Sequence, residues 1–88
     1  MNIFSIVIIG MGSIGFRHFQ ALSNLRIKAR IICIDVDYAA LEKARNYFYE
    51  VSNPNIVSVE YFIDIDKVSD EIDLAIVARQ HPDHQQRY

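Results

Sequence analysis

The three glycines of this chain fall within one hexapeptide, Gly10-Met11-Gly12-Ser13-Ile14-Gly15, which has the spacing G-x-G-x-x-G. The run before it, Ile3 to Ile9, is short, apolar and rich in β-branched residues, a pattern typical of a strand that is buried on both faces. From Ser13 to about Leu25, apolar residues recur at helical spacing and place Gly15 on the buried stripe. The sequence therefore predicts a strand, a tight turn and a helix in that order.

The rest of the chain continues this alternation of strands and helices. Further strands are predicted where short runs are apolar and β-branched: Ile31 to Val36, Ile56 to Ile63, and Leu74 to Ala78. A second helix, with Asp37 as its N-cap, is predicted from apolar residues at spacings of three and four: Leu41, Ala44, Phe48 and Val51. Between Asp64 and Glu71 we expect a short helical turn or a loop.

Such an alternation predicts the α/β class, with right-handed crossovers between parallel strands. We expect a Rossmann-like three-layer architecture with strand order 3-2-1-4, in one domain over residues 1–88. A complete fold of this kind has later parallel strands, so the domain is expected to be incomplete. The fourth strand would then be an unpaired apolar edge, which predicts self-association through residues 74–78.

Each glycine has a chemical role in a turn that binds phosphate. Gly10 permits the tight turn, Gly12 lets the backbone approach a pyrophosphate without a Cβ in the way, and Gly15 lets the helix pack closely on the sheet. Backbone N–H groups of residues 12–15 would point at the phosphates, and the helix dipole would add attraction. Residues Gly10 to Gly15 are therefore predicted to bind a dinucleotide, and the alternative is a tight turn without a ligand.

Asp35 favours the dinucleotide interpretation. It lies 20 residues after Gly15, at the end of the second predicted strand. A carboxylate at that point can accept hydrogen bonds from the hydroxyls of the adenosine ribose. It would repel a 2′-phosphate, so the predicted cofactor is NAD rather than NADP. Asp37 would strengthen this repulsion, although we assign it first to capping.

Composition excludes several other classes of function. With 9 basic and 11 acidic residues, the net charge is -2, so nucleic acid is not an expected partner. The lone Cys33 cannot form an internal disulfide and is expected to be a buried hydrophobe in a reducing compartment. The apolar N-terminus has no basic residue before it and contains three glycines, which argues against a signal peptide. No window is apolar enough for a membrane span, and we expect a cytoplasmic protein.

Neither catalytic nor metal-binding residues are predicted. His81, Asp83 and His84 lie close together near the end of the chain, but no second cluster supplies the further ligands that a zinc signature requires. His18 has no sequence partner that would identify it as a general base.

Two segments resemble a known family. Gly15-Phe16-Arg17-His18 with Ala21-Leu22 resembles the N-terminal domain of the glucose-fructose oxidoreductase and inositol dehydrogenase family (Gfo/Idh/MocA). The segment from Asp73 to Ala78, followed by His84, is similar to that family's fourth strand, which commonly reads Asp-x-Val-x-Ile-Ala-Thr-Pro before a histidine. The resemblance implies an NAD(P)-dependent oxidoreductase acting on a sugar or polyol.

The resemblance also implies that the loop after the fourth strand contacts the cofactor through Ala78, Arg79 and His84. In the family this loop runs beside the nicotinamide and its ribose, and Arg79 and Gln80 stand here in place of threonine and proline. The family's catalytic Glu-Lys-Pro segment and its C-terminal domain have no counterpart within residues 1–88. We therefore expect the cofactor-binding half of an enzyme. A nucleotide-sensing module that regulates a partner, and an inactive fragment, are the alternatives.

Overall fold

In a computed structural model, which describes residues 2–68 and 71–78, short apolar runs form strands and amphipathic runs form helices. In chain order the elements are β1 (Phe4–Ile9), α1 (Ser13–Leu22), β2 (Ala29–Ile34), α2 (Tyr38–Val51), β3 (Ile56–Phe62), a 3₁₀ turn (Ile65–Lys67) and β4 (Leu74–Val77). The strands form one parallel sheet in the order β3-β2-β1-β4. The predicted α/β class and strand order, typical of a Rossmann-like fold, are confirmed.

The strand registers align the carboxyl ends of all four strands. Ile9, the last residue of β1, lies opposite Ile34 on one side and Val77 on the other. Ile34 in turn lies opposite Phe62, the last residue of β3. The loops that follow the strands therefore start from one edge of the sheet, which is where open α/β sheets bind their ligands.

The two faces of the sheet bury different residues because side chains alternate along each strand. One face, with Ile8 and Cys33, packs against Phe19 of α1 and Leu41 of α2 in the larger core cluster. The opposite face has a smaller cluster, which is contacted by side chains from the connection between β3 and β4: it contains Val7, Ile32 and Ile34, with Val68 and Ile72 packed against them. Cys33 is fully buried, as the sequence predicted.

Helix α1 ends at Leu22, three residues before the predicted end at Leu25. Ser23 closes the helix, because its hydroxyl donates to the carbonyl oxygen of Phe19 at 2.8 Å. The N–H of Leu25 then bonds the carbonyl of Leu22, three residues back, which is the tighter pattern common at helix ends. The side-chain amide of Asn53 donates to the carbonyls of Ser23 and Leu25, so tertiary contacts satisfy the groups that a longer helix would have used.

The second strand ends at Ile34, two residues earlier than predicted, and Val36 is 86% exposed. The carboxylate of Asp35 accepts the N–H of Asp37 at 2.8 Å, and this local turn takes the chain out of the sheet. Asp37 caps α2 as predicted, since its side chain accepts the N–H of Ala39 at 3.0 Å. No helix among the described residues has the length and apolar character needed to cross a membrane.

Candidate functional site

A cleft of about 770 Å³ opens at the carboxyl edge of the sheet. β1 lies between β2 and β4 in the sheet. The connection from β1 leads to β2 on one side, and the connection from β3 leads to β4 on the other side. This reversal of strand order is the switch point at which open α/β sheets bind ligands. The residues that line the cleft come from the ends of β1, β2 and β4, from the segments that follow all four strands, and from the start of α1: Ile9, Gly10, Gly12, Ser13, Ile14, Ile34, Asp35, Val36, Ile63, Asp64, Ile65, Val77 and Ala78.

Two of the three glycines are required by the fold itself. Gly10 has a φ of 99°, in the region that side chains disfavour, and its N–H donates to the carbonyl of Ile34 at 2.8 Å. Gly15 is buried where α1 crosses the loop, and a Cβ there would overlap the carbonyl oxygen of Gly10. The same Cβ would lie 3.5 Å from the side chain of Ala78. The turn and the close packing that the sequence predicted for these two glycines are therefore present.

Gly12 has no such requirement from the protein. Its backbone is extended, with φ -70° and ψ -157°, and a Cβ added to it would meet no atom within 4 Å. Gly12 is exposed and lines the cleft at the N-cap of α1, which no side chain caps. The space that a side chain would occupy is therefore open, next to the backbone N–H groups at the positive end of the helix dipole.

Asp35 joins the glycine loop to the loop that follows β2. One carboxylate oxygen, Oδ2, accepts the N–H of Met11 at 2.6 Å, while Oδ1 accepts the N–H of Asp37. Met11 is only 2% exposed, so its side chain packs in the core beneath the glycine loop. Its N–H is the group that bonds Asp35. Each oxygen of the carboxylate can still accept another hydrogen bond, as a pair of ribose hydroxyls would require.

Sequence reasoning missed a set of exposed branched side chains around the cleft, which we call the apolar rim. Its members are Ile14, Val36, Ile63, Ile65 and Val77. Ile14 belonged to the predicted glycine loop and Val77 to the fourth strand, whereas Val36, Ile63 and Ile65 had no predicted role in binding. The sequence did contain a signal for these three residues, because they alternate with Asp35, Asp37 and Asp64 just beyond the ends of two strands. Apolar residues at such positions lie outside the core.

The charged residues among the described lining are Asp35 and Asp64. Asp64 follows β3, and its Oδ1 accepts the N–H of Asp66 at 3.0 Å, which caps the 3₁₀ turn. The donors that the described part of the cleft offers to an anion are therefore uncharged: backbone N–H groups and the hydroxyl of Ser13. Across residues 2–68 and 71–78, no group of three His, Cys, Asp or Glu side chains could hold a metal ion.

The residues predicted after the fourth strand fall into two groups. Ala78 lines the cleft, and its N–H donates to the carbonyl of Ile9 at 2.8 Å. Arg79 and His84 lie outside the described residues. His18 is exposed on α1.

Comparison of the chain with protein-family models, curated proteins and solved structures gives no match. None of the three comparisons therefore assigns a family to the chain. The resemblance carried by Gly15-Phe16-Arg17-His18 and by the segment from Asp73 to Ala78 stays a prediction from the sequence.

Proposed function

We propose that this chain binds NAD in the cleft at the carboxyl edge of the sheet, as the cofactor-binding unit of an oxidoreductase. The observation that carries the proposal is the open space at Gly12. Gly10 and Gly15 are needed for the turn and the packing, but Gly12 faces only the cleft, where a Cβ would meet a ligand and no protein atom. A pyrophosphate fits this space because phosphate groups bind where free N–H groups and the helix dipole converge.

The ribose and the phosphates would occupy neighbouring parts of the cleft. With the pyrophosphate at the N-terminus of α1, the adenosine ribose falls beside Asp35, whose carboxylate is held by Met11 and Asp37. Two ribose hydroxyls can donate to that carboxylate. A 2′-phosphate would place negative charge against Asp35 and near Asp37, so NAD should bind more tightly than NADP.

The proposed chemistry is hydride transfer between the nicotinamide and a sugar or polyol carbon. The bound cofactor would supply this chemistry. Its support is the resemblance of Arg17-His18 and of the segment from Asp73 to Ala78. The residues of this chain would bind and orient the cofactor, with Val77 and Ala78 forming the side of the cleft across β1 from Asp35. A nucleotide-sensing module would use the same binding contacts without the transfer.

Titration of the 88-residue chain with NADH and NADPH, followed by calorimetry and nicotinamide fluorescence, tests the proposal. We expect NADH to bind more tightly than NADPH, and Asp35→Ala to weaken NADH binding about tenfold or more, as expected when hydrogen bonds to a charged group are lost. Asp66→Ala is the control, because Asp66 is exposed and lies outside the cleft lining.

Asp35→Asn separates recognition from support of the loop, since its amide oxygen can replace only one of the two carboxylate acceptors. Thermal unfolding of each variant checks that the fold is retained. Absence of binding of either nucleotide to the wild-type chain would contradict the proposal and leave the inactive-fragment interpretation.

A further inference from the structure

We infer that Asp64 makes the cleft selective for adenine, by accepting a hydrogen bond from the exocyclic amino group of the base. This inference rests on the proposed function and adds to it the identity of the base. Three features of the described residues carry it: the adjacency of the β2 and β3 ends, the apolar rim, and the capping bond that orients Asp64.

The end of β3 lies directly beside the proposed ribose position. The N–H of Asp35 donates to the carbonyl of Phe62 at 3.1 Å, so Asp35 is the neighbour of Ile63, and Asp64 is the next residue along. The pyrophosphate is placed on the opposite side of Asp35, at Gly12 on the β1 side of the cleft. A base joined to a ribose at Asp35 therefore extends away from the phosphates, over the end of β3.

The surface at that end of the cleft suits a flat base. Val36, Ile63 and Ile65 of the apolar rim line it, and about half or more of each side chain is exposed: 86%, 53% and 49%. Aliphatic groups in a concave site gain from covering the faces of an aromatic ring, while a few polar groups define its orientation. A base that packs on these side chains leaves its polar edge to be read by the carboxylate among them.

Asp64 is the charged residue among those three side chains. Its Oδ1 accepts the N–H of Asp66, which restrains the carboxylate at the N-cap of the 3₁₀ turn, and the side chain lines the cleft. An ionised carboxylate only accepts hydrogen bonds. It would pair with the 6-amino group of adenine and repel the 6-oxygen of hypoxanthine, which is an acceptor.

The experiment compares NAD with nicotinamide hypoxanthine dinucleotide, in which an oxygen replaces the 6-amino group of the purine and N1 carries a hydrogen. Dissociation constants are measured by calorimetry on the full 88-residue chain. We expect the wild-type chain to bind NAD about tenfold more tightly, the low end for a hydrogen bond to a charged group because Asp64 is exposed.

Asp64→Asn should bring the two dissociation constants within about threefold of each other, because an amide offers both a donor and an acceptor. Asparagine caps a turn about as well as aspartate, so the variant should keep its fold, and thermal unfolding checks this. The matched control is Asp66→Asn, which changes the same charge two residues away at a position outside the cleft lining and should keep the wild-type preference.

The outcomes separate the two proposals. Equal binding of both dinucleotides by the wild-type chain, or an unchanged preference in Asp64→Asn, overturns the inference and leaves NAD binding intact. Absence of binding of either dinucleotide overturns the proposed function and this inference with it.

Discussion

Two sides of the molecule contain similar residues in different surroundings. On one side the helices pack on the sheet, and the other side faces the cleft. On the packed side, Gly15, Phe19 and Cys33 are buried, and no space exists at Gly15 for even a Cβ. On the cleft side, Gly12 has no atom near its missing side chain, and Val36 is 86% exposed. One hexapeptide therefore contains a glycine that the fold requires and a glycine that it does not.

From this difference we expect that some residues of the motif affect the free energy of unfolding, whereas others affect ligand binding. A residue whose surroundings are protein affects the free energy of unfolding when it is changed. A residue whose surroundings are an open cleft affects that energy little, and a change there should appear when a ligand is added. Substitutions on the two sides test this expectation directly.

The largest effect is expected for Gly15→Ala. The new methyl group would overlap the carbonyl oxygen of Gly10, which belongs to the backbone and cannot rotate away. We expect the free energy of unfolding to fall by about 3 kcal/mol or more, measured by urea denaturation. A change below about 1 kcal/mol would show that the loop and α1 can separate without cost.

Gly12→Ala should show the reverse pattern. Because its Cβ meets nothing and its φ is negative, the loss in unfolding free energy should stay below about 1 kcal/mol, mainly from the poorer N-cap. NADH binding should weaken tenfold or more by calorimetry, because the methyl group occupies the proposed pyrophosphate position. Unchanged binding would remove the main support for a phosphate at Gly12, while Gly15→Ala serves as the comparison for stability.

On the packed side, Cys33 predicts a loss of stability in alkali. Burial raises the pKa of its thiol from 9.0 to about 12. The unfolded chain releases this proton first as pH rises above 9, so the stability contributed by Cys33 is present below pH 9 and is lost between pH 9 and 12. We expect a loss of about 1 kcal/mol in unfolding free energy by pH 10.

The Cys33→Ala variant tests whether the thiol causes this loss of stability. The unfolding free energy of the variant should depend less on pH between 9 and 10. Burial also raises the pKa of Tyr61 to about 12, so a remaining slope is expected at higher pH in both proteins. An identical slope between pH 9 and 10 in the variant and the wild type would assign the effect to other groups.

The smallest effect on stability is expected at the edge of the sheet, which belongs to neither side. β4 pairs with β1 alone in the described sheet, and we propose that a second copy of the chain pairs with residues 74–78. Leu74, which is exposed and outside the cleft lining, is the position to change. Leu74→Lys should reduce self-association in sedimentation experiments at high micromolar concentration and change the unfolding free energy of the monomer by less than about 0.5 kcal/mol.

Val57→Lys on β3 is the matched control at the other edge, where the exposure of the apolar side chain is similar. A wild-type chain that is monomeric at these concentrations would contradict pairing through β4. Equal effects of the two variants would place the contact elsewhere.

Most of the fold could be predicted because its signals are local. Apolar runs, the glycine spacing and Asp37 before an amphipathic run each act within a few residues, and right-handed crossovers then leave strand order 3-2-1-4 as the simplest arrangement. The end of α1 could not be predicted in the same way. Its apolar period continues to Leu25, but Asn53, distant in sequence, takes the carbonyls beyond Leu22.

The sequence by itself determined which residues are candidates for binding phosphate and ribose, because glycine spacing and a carboxylate after the second strand are properties of the chain. Only the tertiary structure decided how those residues differ: Gly15 meets the Gly10 carbonyl, Gly12 meets open space, and Asp35 holds the N–H of Met11. It also brought Asp64 and the apolar rim to the same edge. The physical reason is that contacts between residues distant in sequence depend on how the strands align within the sheet, and packing of the whole core decides that alignment.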